Sequence, residues 1–98
     1  MAWFAVVRAR GEGWDASVPM REQAGWDEHA AFMDGLAGEG VVVLGGPVGE
    51  GERQFLLIFE AASAEEVEER LAADPWAPTR QLRIASIEPW TVLLRSIA

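Results

Sequence analysis

Hydrophobic and polar positions alternate along this chain in blocks that predict six elements. Residues Ala2 to Arg10 carry Trp3-Phe4-Ala5-Val6-Val7, an aromatic and β-branched run that predicts a first strand. Gly11 to Gly25 interrupts it with Gly, Asp, Ser and Pro19, a loop of the length that often carries function in a small domain. From Trp26 to Gly38 the period becomes helical: His29, Phe32, Met33 and Leu36 fall at i, i+3, i+4 and i+7. Asp27 and Glu28 suit the positive end of that helix, and Gly38 and Gly40 supply its stop. Val41 to Val48 predicts a second strand interrupted at Gly45-Gly46-Pro47, and Arg53 to Ala61 a third, with a turn over Gly49 to Glu52 between them. Ser63 with Glu66 three residues on forms a capping box for a second helix that carries Val67 and Leu71. Asp74-Pro75 ends that helix, and Gln81 to Ile97 predicts a last strand that Pro89 confines to a sheet edge.

The order β-α-β-β-α-β predicts a ferredoxin-like α+β fold, a four-stranded antiparallel sheet ordered 4-1-3-2 with two helices on one face. The opposite face of such a sheet should be polar if it meets water. Here Trp3 to Val7, Val41 to Leu44 and Phe55 to Phe59 are apolar on both sides, so a second layer is expected. A second copy of the chain, packed sheet to sheet as a homodimer, would supply it.

Composition narrows the chemistry. The 98 residues suit a single domain over the whole chain. The chain has no Cys, Lys or Asn and one histidine, so thiolate zinc sites, cysteine nucleophiles and Schiff-base lysines are excluded. Eight Arg against sixteen Asp and Glu give a net charge of −8, which argues against a nucleic-acid partner. The apolar runs fall well short of the ~20 residues of a membrane span, and Met1-Ala2-Trp3 leads straight into strand-like sequence. A cytoplasmic protein without a membrane partner is the expectation. The Glu65-Glu66-Glu68-Glu69 cluster suits a solvated helix face, and no EF-hand spacing supports a metal.

If the topology holds, the start of the first helix lies beside the end of the second, and the end of the second strand returns to the same rim. His29, Asp74 and Gly45-Gly46-Pro47 then converge. An imidazole there can accept a proton at one nitrogen while the other donates to Asp74, the logic of an oriented general base. The plainer reading keeps His29 as a packed residue bonded to a backbone carbonyl and Asp74 as a turn cap. Gly45 and Gly46 would leave room for a ligand beside the sheet, with Arg21 or Arg53 to hold substrate charge. Trp14, Trp26, Trp76 and Trp90 either line an apolar pocket or belong to core and dimer contacts.

The residues Arg21-Glu22-Gln23, His29, Gly45-Gly46-Pro47, Ala72-Ala73-Asp74-Pro75-Trp76 and Glu88-Pro89-Trp90 resemble the YCII-related (YciI-like) domain family, over about Trp3 to Leu94. The resemblance implies a ferredoxin-like domain that dimerises through its sheets, related in architecture to muconolactone isomerases and dimeric α/β-barrel monooxygenases. It also implies a pocket with a His–Asp pair, here His29 and Asp74 as catalytic residues. Beside that pair, the reading of the residues themselves expects Arg21, Gly45, Gly46, Pro47 and Trp76 to bind substrate. Two features depart from the family pattern: a longer loop before the first helix, and Pro78-Thr79-Arg80 where a glycine-containing turn is common. The function expected is a small-molecule enzyme of acid/base type that uses no cofactor and no metal. The alternative is a non-catalytic binding or dimerisation module of the same fold.

Overall fold

The computed structural model describes residues 1–96. Its strands are β1 (Ala2–Arg10), β2 (Val42–Val48), β3 (Gln54–Ala61) and β4 (Leu82–Pro89), and its helices α1 (Trp26–Gly38) and α2 (Ala64–Ala72). The sheet is antiparallel throughout and ordered β2-β3-β1-β4, the ferredoxin-like arrangement.

Strand alternation sorts the side chains. Phe4 and Val6 of β1, Leu57, Phe59 and Ala61 of β3 and Val42 of β2 pack beneath Leu36 of α1 and Val67 and Leu71 of α2 as the main core. Ser63 caps α2, its Oγ accepting from the Glu66 N–H at 3.2 Å, while the Glu66 carboxylate accepts from the Ala62 N–H at 3.1 Å. A second, aromatic cluster joins Trp14, Phe55, Trp76 and Leu82 under the 11–25 segment.

That segment is more ordered than a plain loop. Gln23 is buried within it, donating from Nε2 to the carbonyls of Asp15 (2.6 Å) and Val18 (3.0 Å) and accepting from the Asp15 N–H (2.9 Å). A single 3-10 turn over Met20–Glu22 leads into α1.

Two expected strand limits need correction. The last strand does not run from Gln81 towards Ile97 but stops at Pro89, after which the Trp90 N–H donates to the Trp3 carbonyl. Phe4 of β1 lies opposite Pro89 and β1 begins at Ala2, so the antiparallel register runs out of partner strand within a few residues of Trp90; Ile97 lies outside the described residues. Gly45-Gly46-Pro47 does not interrupt β2 either, since each of the three pairs with β3 and the irregularity falls between Val42 and Leu44. Edge position makes this possible, because one side of β2 carries no ladder for Pro47 to break.

Candidate active site

The site begins at a glycine. Gly25 precedes α1 with φ of 76°, a left-handed conformation that a side chain would strain, and its carbonyl accepts the His29 N–H at 3.0 Å. His29 is thereby fixed in the first turns of α1, with its ring directed inward and 6% exposed. From the connection after α2, Asp74 reaches the same point and is 1% exposed. His29 Nδ1 lies 2.9 Å from both carboxylate oxygens of Asp74. An ionised carboxylate only accepts, so Nδ1 carries the proton and donates it, and Nε2 is left with the lone pair in the neutral ring. Nε2 has no protein partner among the described residues, and it is not sealed in: the buried unpartnered side-chain nitrogen among them is Trp14 Nε1.

Asp74 is also the turn cap that its sequence position suggested. Its Oδ1 accepts the Trp76 N–H at 2.9 Å, so one carboxylate serves both purposes. Its other oxygen, Oδ2, accepts from Nη2 of Arg8 at 2.6 Å. Burial pushes the Asp74 carboxyl up, but the hydrogen bonds from His29, the Trp76 N–H and Arg8, with the charge of Arg8, outweigh it and hold the group below the usual carboxylate range.

Arg8 is the residue that the reading of the sequence missed. It occupies the core-facing register of β1 after Phe4 and Val6 and is 4% exposed. An arginine where the strand period calls for an apolar residue was the available signal, since a buried guanidinium requires a buried acceptor.

His29 and Arg8 open onto a cleft of about 350 Å³ between α1 and β2, within the range of small-molecule sites. Its walls are mostly apolar, with Met33 and Trp26 on one side and Val42, Gly45 and Pro47 on the other. Gly45 faces it from the helix side of β2; a Cβ there would lie 2.7 Å from Leu57 Cδ2. Gly46 points to the outer sheet face and borders the cleft through its backbone.

The other residues singled out in the sequence stand elsewhere. Trp76 does not line the cleft: it lies behind His29, stacked on the imidazole with ring centroids 3.8 Å apart, and its Nε1 donates to the Ala24 carbonyl at 2.8 Å. Arg21 is exposed beside Trp26, 6.0 Å from its ring centroid, and Arg53 is exposed at the β3 start; neither borders the cleft. Trp14 is core, and Trp90 packs near Trp3 at the outer face of the sheet. Among the described residues, no helix is long and apolar enough to cross a membrane, and no three His, Asp or Glu side chains gather as a metal ion requires.

Comparison with known proteins agrees with this architecture. The YCII-related domain matches residues 1–91. In fold the chain is similar to 5-chloro-2-hydroxyhydroquinone dehydrochlorinase (TftG) from Burkholderia phenoliruptrix AC1100, solved in complex with 2,5-dihydroxybenzoquinone. The TM-score is 0.52 at 20% identity, over 92% of this chain and 93% of that one. No curated protein matches the sequence.

Proposed function

The chain belongs to the YCII-related domain family, and from that premise we propose that it is a cofactor-independent enzyme acting on a small molecule by acid/base chemistry at His29. The observation that carries this reading is the short contact of His29 Nδ1 with a buried, ionised Asp74, which leaves Nε2 as a proton acceptor at an apolar cleft. Asp74 sets the tautomer and Trp76 the plane of the ring; neither lines the cleft.

In the reaction, Nε2 takes a proton from a carbon next to a carbonyl. The C–H electron pair moves into the carbonyl and leaves an enolate oxygen. Return of the proton to another carbon gives an isomerisation, and loss of a leaving group from the neighbouring carbon gives an elimination. Positioned proton transfer of this kind contributes about 10²–10⁴-fold. The dihydroxybenzoquinone in the structure of the similar dehydrochlorinase is a flat enolic molecule of a size and kind that suits such a cleft.

The test follows exchange of C–H for C–D by NMR, in D₂O, for a panel of small lactones and hydroxyquinones. The wild-type chain is expected to accelerate exchange in at least one compound, and His29→Ala to lose the effect while remaining folded. Exchange that is the same in both proteins refutes the reading.

Homodimerisation through the outer sheet face belongs to the same proposal. Leu44 and Val48 are 62% and 48% exposed there, next to Leu56 and Ile58.

A further inference from the structure

Arg8 is more than a counter-ion for Asp74. A guanidinium has five N–H donors, and Asp74 takes one strong bond from Nη2. Nη1 has as partner only the Met33 thioether at 3.7 Å, a weak acceptor. Among the described residues no other acceptor bonds to it, although the side chain is 4% exposed and borders the cleft. Donors of a guanidinium that lack protein acceptors at the edge of an apolar cleft are open to a ligand oxygen, and a charge-assisted bond there is among the stronger ones.

Charge points the same way. Arg8 and His29 share Oδ2 of Asp74, so the three groups form one cluster. With Asp74 ionised and His29 neutral, the cluster has no net charge. Once His29 has taken a proton, the cluster carries one positive charge beside a mostly apolar cleft. Asp34 is the acid that also borders the cleft; it is exposed on α1, where solvent screens it.

We infer that Arg8 is an oxyanion-binding residue of this site, and that the ligand is a compact, largely apolar weak acid, an enol or phenol, bound as its anion with the oxygen against the guanidinium. This rests on the general-base reading and deepens it. The proton that leaves the ligand goes to His29 Nε2, and the charge that stays on the ligand oxygen is met by Arg8 Nη1 and its neighbouring donors. No co-reactant is needed, because the step is a proton transfer within the complex.

4-Nitrophenol tests this on the wild-type chain, since its phenolate absorbs at longer wavelength than its neutral form. It is expected to bind as the phenolate, at a pH where the unbound compound is mainly neutral. It should also bind at least about tenfold more tightly than 4-nitroanisole, the methyl ether of the same shape, as one charge-assisted hydrogen bond implies. Arg8→Lys, which keeps a charge beside Asp74 but loses the fork, should reduce that preference. Arg8→Met should abolish it if the protein folds, and the wild-type comparison decides if it does not. Equal affinity for phenol and ether, a bound probe that stays neutral, or no phenolate binding at millimolar concentration would each overturn the assignment. His29-dependent deuterium exchange together with failed phenolate binding would reject Arg8 and keep the general base; phenolate binding with no such exchange would do the reverse.

Discussion

The imidazole of His29 lies flat on the indole of Trp76, with the planes 7° from parallel and the centroids 3.8 Å apart. Trp76 is itself tied down at both ends, by its N–H to Asp74 and by Nε1 to the Ala24 carbonyl. The ring that is to move a proton therefore sits between a carboxylate that fixes its tautomer and an aromatic plane that fixes its tilt.

Trp76→Ala should consequently cost about 3–5 kcal/mol in denaturant unfolding, as loss of a fully buried indole does. Trp76→Phe keeps an aromatic plane and loses the bond to Ala24, whose carbonyl still accepts from Gln81 Nε2 at 2.8 Å. Its cost should be nearer about 1 kcal/mol. Equal losses in the two variants would mean that the aromatic plane stacked on His29 is not what stabilises this region.

The low Asp74 carboxyl makes stability depend on pH in a defined direction. Its folded value lies below that of an unfolded carboxylate, about 3.9, so the unfolded chain binds the proton more readily. The stabilisation is therefore complete above about pH 5 and is lost as pH falls through the folded value. Asp74→Asn should destabilise the protein by about 3–5 kcal/mol at neutral pH, because Arg8 and His29 lose a buried ionic partner. The gap from wild type should narrow as pH is lowered. Urea titrations at pH 7 and pH 3 check this, and a gap that widens in acid would contradict it.

Neighbouring glycines on β2 give a contrast inside one strand. A methyl at Gly45 projects towards Leu57 Cδ2, the far end of a flexible side chain that can yield, so Gly45→Ala should fold and narrow the cleft. A methyl at Gly46 meets nothing within 4 Å. Binding of 4-nitrophenol should weaken several-fold in Gly45→Ala and stay unchanged in Gly46→Ala. The opposite ranking would place the ligand on the other face of the sheet.

The elements were legible because this chain repeats its signals at several levels. The helical stripe through His29 and Leu36, the Ser63 cap and the alternation of Phe4 and Val6 agree with one another and with the fold. His29 and Asp74 meet only through topology, 45 residues apart, so their contact followed once the strand order was right. Arg8 was not legible by type, since most arginines are surface groups and only its register marks it as buried. Gln23 escaped for a similar reason: its bonds go to backbone atoms of a segment with no periodicity. The last strand was overextended because an apolar run such as Val92 to Leu94 looks the same whether or not a neighbouring strand is there to pair with it; Leu93 and Leu94 are 86% and 92% exposed.

The outer face of the sheet is where the proposed dimer is most easily refuted. Val7 of β1 is paired with Leu56 of β3, and Ile58 of β3 with Leu44 of the edge strand, so apolar side chains cross the face from strand to strand. The helices cover the opposite side, and among the described residues none is left for this one. A stable interface removes about 800 Å² from each partner, with an apolar centre; Leu44, Val48 and Trp90 are the large apolar side chains exposed on this face, while Ile58 beneath them is already buried in the single chain. Leu44 is 62% exposed, so Leu44→Glu costs the isolated chain little but sets two carboxylates against an apolar partner surface when two copies meet. Light scattering should give twice the chain mass for the wild type at micromolar concentration and the single-chain mass for Leu44→Glu, with helix content unchanged by circular dichroism. A wild-type chain that runs at single-chain mass would remove the dimer and leave this apolar face open to water.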